Sequence, residues 1–145
     1  THTGPRRGEV FDECAFAKQI AEIERRVQTD NIIRVGNLDS VRTFADVRDA
    51  VRAYWMLLEK CTPGDVYNIG GTETLTVGEM LEILKSFSDL DLTHEIREDL
   101  LRPSDVTLQI PDSSKFENLT GWKAKFKVRE TLRDLLNYER KRVIS

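Results

Sequence analysis

Residues 32–60 constrain this chain more than any other stretch. Ile32 to Val35 reads as a short buried strand. Gly36-Asn37 then marks a turn, and a second extended run, Arg42 to Phe44, follows. Asp46 stands where a helix N-cap belongs, and Val47, Val51, Tyr54 and Leu58 recur at the spacing of one helical face. Arg42 lies in the extended run just ahead of that helix. A guanidinium there can take two phosphate oxygens with its fork, and N–H groups near the helix start can add to it. Taken alone, the arrangement is more commonly explained by solvent or by pairing with Asp39 or Asp46.

Size and charge narrow the alternatives. The chain has 145 residues, one domain's worth at most. Its 22 Lys and Arg against 25 Asp and Glu leave a formal charge of -3, which argues against a general nucleic-acid binder. No apolar run approaches the length that spans a bilayer, and no signal-peptide pattern opens the sequence, so no membrane partner is expected. Cys14 and Cys61 have no metal-ligand spacing. They read as free thiols in a reducing compartment, and a cytoplasmic location is the expectation.

Thr1 to Gly8 reads as a loop, with Gly4-Pro5 setting a turn. Arg6 and Arg7 between glycines could cradle an anion, although a solvated basic loop explains them as well. His2 has no fixed partner that would make it a general acid or base. Val10 to Gln28 predicts an amphipathic helix with Phe16, Ile20, Ile23 and Val27 inward. Val66 to Ile69 predicts a short strand closed by Gly70-Gly71, a pair without the spacing of a dinucleotide fingerprint. Thr76 with Glu79 three residues on predicts a capping box, and Met80, Leu84 and Phe87 a buried stripe behind it. Leu92 to Ile96 alternates like a strand, and Thr107 to Ile110 is extended. Asp112 opens a short helix ending at Thr120-Gly121. Trp122 to Phe126 is extended with Lys123, Lys125 and Lys127 outward, and a last helix runs from about Val128 with Leu132, Leu135 and Leu136 on its apolar edge.

Several of these pieces, in this order, resemble a known family. Gly36-Asn37-Leu38-Asp39-Ser40-Val41-Arg42-Thr43-Phe44-Ala45-Asp46-Val47-Arg48-Asp49 carries most of the likeness. His2-Thr3-Gly4-Pro5, Ala17 to Glu24, Val66-Tyr67-Asn68-Ile69-Gly70, Leu101 to Val106, Asp112 to Lys115 and Thr120 to Lys123 add to it. Together they resemble the extended short-chain dehydrogenases (the NAD-dependent epimerase/dehydratase family), within it the GDP-6-deoxy-4-keto-mannose reductases and GDP-mannose 4,6-dehydratases. The resemblance implies an α/β fold: the C-terminal, substrate-binding part of a Rossmann-like enzyme, with most of the dinucleotide-binding sheet absent. Residues 1–145 would form that portion, and about 41–71 the returning edge of the Rossmann lobe. It further implies that Arg42 and Arg102 grip the diphosphate of a nucleotide sugar and that the Asn37 loop lines the nucleotide pocket. By the same likeness, the His2–Pro5 loop borders both cofactor and sugar. Thr1 stands where the family usually has Asn, a departure that bears on one substrate contact.

The family's chemistry needs two features that this sequence lacks. One is a glycine-rich loop for the dinucleotide. The other is a Tyr-x-x-x-Lys pair, in which lysine lowers the phenol's pKa. Four residues after Tyr54, Tyr67 and Tyr138 come Leu58, Gly71 and Arg142. Two readings stay open. The chain is the substrate-binding portion of an NAD- or NADP-dependent GDP-hexose dehydratase or reductase, inert alone, binding no cofactor stably and partnered by a missing cofactor half. Or it is a free-standing binding or assembly module that kept the fold remnant and lost the chemistry. Either way, uncovered apolar surface should favour self-association.

Overall fold

The computed structural model describes residues 2–71, 73–101 and 107–143. In chain order the elements are β1 (His2–Thr3), α1 (Asp12–Glu24), β2 (Ile32–Val35), β3 (Val41–Asp46), α2 (Val47–Lys60) and β4 (Glu73–Thr76). Then come α3 (Val77–Lys85), β5 (Thr93–Ile96), β6 (Leu108–Gln109), α4 (Ser114–Thr120) and α5 (Val128–Arg142). β3 organises the larger sheet. β4 runs antiparallel along one edge, with Arg42 opposite Leu75. The other edge is shared by two short parallel strands. β6 places Gln109 opposite Arg42, and β1 places His2 opposite Ala45 and Thr3 opposite Asp46. β2 and β5 form a separate parallel pair, with Arg34 opposite Glu95.

The core sits where α1, α3 and α5 pack against one another and against β2. Phe16, Ile20, Ile33, Met80, Leu84, Leu132, Leu135 and Leu136 are all essentially solvent-free there. Each large side chain so buried stabilises the fold by about 1.5–3 kcal/mol. Arg140 locks α5 to α1 through a two-pronged pair with Glu24, both bonds 2.7 Å. The expected capping box is present: Glu79 N–H donates to Thr76 Oγ1 (3.0 Å) and Thr76 N–H to Glu79 Oε2 (2.7 Å). A smaller cluster joins α2 to α4 through Ala53, Phe116 and Trp122.

Four expectations change. Val66 to Ile69 is not a strand. No neighbouring strand pairs with it among the described residues; Val66 N–H donates instead to Asp65 Oδ1 (2.8 Å), and just beyond the segment Gly70 N–H donates to Ser113 Oγ (2.9 Å). Trp122 to Phe126 also has no strand partner among the described residues, although Lys123, Lys125 and Lys127 are exposed as expected. α1 is shorter than predicted. Arg26 turns to a positive φ of 59° just past its end, so Val27 leaves the inner face and is exposed. β5 does not alternate: all four of its residues are exposed, and Leu92, just before it, is the one that enters the core.

The apolar stripe of α2 faces away from the core. Val51 is 60% exposed, Trp55 65% and Leu58 79%, whereas the helix buries Asp49, Ala50 and Ala53. No helix among the described residues is long and apolar enough to cross a membrane.

Candidate functional site

The start of β3 gathers the first group of predicted site residues. Arg42 Nη1 donates to the Val41 carbonyl (3.0 Å), and Val41 N–H donates to the Thr107 carbonyl (2.8 Å). Upstream, Asn37 shapes its own loop: Nδ2 donates to Ser40 Oγ (3.0 Å) and Oδ1 accepts from Asp39 N–H (2.9 Å). That loop closes the N-terminus of α3, where Val77 and Gly78 N–H groups donate to the Ser40 and Leu38 carbonyls, each 2.9 Å. Gly36 is tightly approached. A Cβ there would lie 2.6 Å from the Leu100 carbonyl oxygen, so only glycine lets the two backbones meet. Arg97 N–H bonds the Val35 carbonyl alongside (2.9 Å). Arg102 lies outside the described residues. The residues that flank its segment are nevertheless fixed, one side against Gly36 and the other against Val41 and Arg42.

His2 and Pro5 belong to the other end of β3. His2 is opposite Ala45, three residues beyond Arg42, or roughly 10 Å along a strand that rises ~3.3 Å per residue. The His2 ring meets Tyr54 edge-on, with Nδ1 3.3 Å from the phenol oxygen. Burial holds the imidazole pKa below its ordinary value. The two ends of β3 thus offer a guanidinium and a neutral imidazole on one sheet.

A dinucleotide does not fit the glycine pair. A Cβ on Gly71 would lie 1.8 Å from the Phe44 carbonyl oxygen, and one on Gly70 2.2 Å from Pro111 Cγ. The pair is packed against its own chain and leaves no cradle for a pyrophosphate. Among the described residues no group of three His, Cys, Asp or Glu could hold a metal ion.

Three buried carboxylates hold these parts in place, and sequence reasoning passed over their partners. Asp46 caps α2 through Arg48 N–H (2.7 Å) and also receives the Arg48 guanidinium and Thr131 Oγ1 (2.7 Å). Burial pushes its pKa up, but the Arg48 and Thr131 hydrogen bonds outweigh that and leave it below the usual value. Asp49 accepts from Lys125 N–H (2.9 Å), Phe126 N–H (3.0 Å) and Arg52 Nη2 (2.9 Å), while its carbonyl takes the Trp122 indole N–H (3.2 Å). Glu13, on α1, accepts from Thr3 Oγ1 (2.8 Å) and lies 3.2 Å from Arg7 Nε, which ties the His2–Gly8 loop to the core. An acidic residue in a helix's first turn ordinarily signals only a favourable dipole contact, so nothing local marked Glu13 or Asp49 as buried anchors.

The mixed sheet, the helices packed on it and the strand–turn–strand–helix unit at Arg42 define a part of the extended short-chain dehydrogenase fold. A family profile described as GDP-mannose 4,6 dehydratase matches residues 1–135, and the chain belongs to that family. It is 30% identical over 138 residues to the GDP-6-deoxy-D-mannose reductase of Pseudomonas aeruginosa, covering 94% of this chain and 44% of the reductase. It is 33% identical over 126 residues to GDP-mannose 4,6 dehydratase 2 of Arabidopsis thaliana, covering 84% of this chain and 32% of that enzyme. The solved structure of RMD from Pseudomonas aeruginosa complexed with NADPH superposes with a TM-score of 0.90 at 28% identity, over 99% of this chain and 47% of that one. The chain therefore spans less than half the length of these relatives.

Proposed function

We propose that this chain is the nucleotide-sugar-binding portion of an enzyme that dehydrates or reduces a GDP-hexose. Arg42 and Arg102 neutralise the diphosphate, the Asn37 loop lines the nucleotide pocket, and His2 and Pro5 border the cofactor, NAD or NADP, of the complete enzyme. The observation that carries this reading is the packing of the described residues on either side of Arg102. They pack against Gly36 on one side and pair with Val41 and Arg42 on the other. A diphosphate is expensive to desolvate, and two guanidiniums converging on it offset that cost with charge-assisted hydrogen bonds. The residues that would hold a dinucleotide and supply the tyrosine acid or base belong to a partner half, and by itself this chain binds substrate without turning it over. The exposed stripe of α2 is where we place that half, because Val51, Trp55 and Leu58 present a contiguous apolar face.

The test is a comparison of GDP with GMP by calorimetry. GMP lacks one phosphate, and its affinity should fall by about tenfold, the scale of one lost hydrogen bond to a charged group. Equal affinities would overturn the assignment to a diphosphate.

A further inference from the structure

A cavity at the far side of the His2–Gly8 loop remains unassigned by this reading. It has a volume of about 540 Å³ and is lined by Arg6, Arg7, Gly8, Glu9, Tyr138 and Arg142. The loop continues from Thr3, which is paired with Asp46, so it leaves the sheet past the end of β3 remote from Arg42. Arg42 is four residues, or ~13 Å of strand, behind that point.

We infer that this cavity binds a phosphate group. Three of its four charged lining residues are arginines. Glu9, the one carboxylate, is drawn to Lys18 at 2.7 Å and stands 3.8 Å from Arg142 Nη2. The other nearby carboxylates lie behind the lining and act as supports. Glu13 is buried and fixes Arg7, and Glu139 is buried and receives Arg142 Nη1 at 3.2 Å. Arg7 is braced further by stacking on Phe11, its guanidinium carbon 3.6 Å from the ring centroid. Its Nε is buried without a hydrogen bond.

Arg6 has no ion pair among the described residues, and its backbone is left-handed, with φ 73°. A non-glycine residue in that region is strained. The strained turn sets an uncompensated guanidinium on the cavity's rim, beside two whose orientation is fixed from behind. A dianion with several acceptor oxygens satisfies more than one arginine fork at once, which a carboxylate cannot do as well. The cavity is larger than a phosphate ion needs and falls within the range of small-molecule sites. It therefore has room for the organic part of a phosphomonoester beside Tyr138.

The probes are inorganic phosphate, AMP and acetate, titrated calorimetrically into the chain at one ionic strength. Phosphate should bind saturably and more tightly than acetate. AMP binding more tightly than phosphate would identify an organic phosphomonoester as the ligand, and weaker AMP binding would identify the free ion. Arg6→Gly should weaken phosphate by about tenfold, the scale of a lost charge-assisted hydrogen bond. Glycine accepts the φ at position 6, so this variant should keep its urea midpoint while losing the anion. Arg142→Gln should weaken phosphate as well, and Lys123→Ala should leave it unchanged. Absence of saturable phosphate binding, acetate binding as tight as phosphate, or an unchanged affinity in a folded Arg6→Gly chain would each overturn the inference. The site is independent of the diphosphate assignment, because Arg6→Gly should leave the preference for GDP over GMP intact.

Discussion

Asp49→Ala should be among the most damaging single changes outside the apolar core. The carboxylate is 1% exposed and terminates two backbone donors, Lys125 N–H and Phe126 N–H, as well as Arg52 Nη2. Truncation leaves the two amides unsatisfied, at about 1–3 kcal/mol each. It also releases Arg52, which bonds the Lys123 carbonyl and stacks near Trp122. The sum, about 2–6 kcal/mol, is a large part of the 5–15 kcal/mol that holds a typical domain together. Asp49→Asn keeps one acceptor oxygen in the same place and should cost less than half as much. Urea unfolding followed by Trp fluorescence reads both, since Trp122 is fully buried against Asp49. If the alanine variant loses less than about 1 kcal/mol, the two amides find water or another acceptor, and the reasoning fails.

Other outcomes follow from the same geometry. Asp46 has a lowered pKa, so its contribution is present above the ordinary carboxylate value and is lost as pH falls through the folded one. Asp46→Asn should be less stable than wild type at neutral pH and close to it in strong acid, as read from urea midpoints at both. Burial pushes the Cys14 thiol up to about 12, so a thiol reagent should label the half-exposed Cys61 in the native chain and reach Cys14 only on unfolding. Equal labelling rates would contradict the packing of α1. Trp55→Ser with Leu58→Glu should reduce self-association in sedimentation velocity at little cost to stability, because both side chains are already exposed. The purified chain should show no hydride transfer and no water elimination with any nucleotide sugar, and cofactor-dependent turnover would refute that.

What could be read from the sequence was what neighbouring residues decide. Ile32–Val35, the Thr76–Glu79 box and the leucines of α5 depend on local pattern, and all three appear as expected. What escaped depends on distant partners. Val66 to Ile69 has strand-forming residues, but a strand exists only if another lies beside it, and Asp65 takes the Val66 amide while Ser113 takes that of Gly70 just beyond. Glu13 and Asp49 look like ordinary first-turn acids until residues 10 and 76 positions away bury them. The α2 periodicity correctly separated an apolar face from a polar one, yet periodicity cannot say which face the rest of the chain covers. At the candidate site, the sequence supplied Arg42 and the turn at Gly36-Asn37. Only the structure revealed that Leu100 packs against Gly36 and that the Thr107 carbonyl accepts from Val41 N–H beside Arg42.

The most direct test of the diphosphate grip is GDP calorimetry on Arg42→Ala, Arg102→Ala, Arg42→Lys and Lys123→Ala at two salt concentrations. Each arginine-to-alanine change should lose about 1.5–3 kcal/mol, or roughly tenfold or more in affinity, and the loss should shrink as salt rises. Arg42→Lys should recover only part of it, since lysine keeps the charge without the two-pronged geometry. Lys123→Ala, at an exposed position on the outward-facing lysine row, should bind like wild type. Arginine variants that hold GDP as tightly as wild type, or a Lys123 variant that loses as much as they do, would contradict the account.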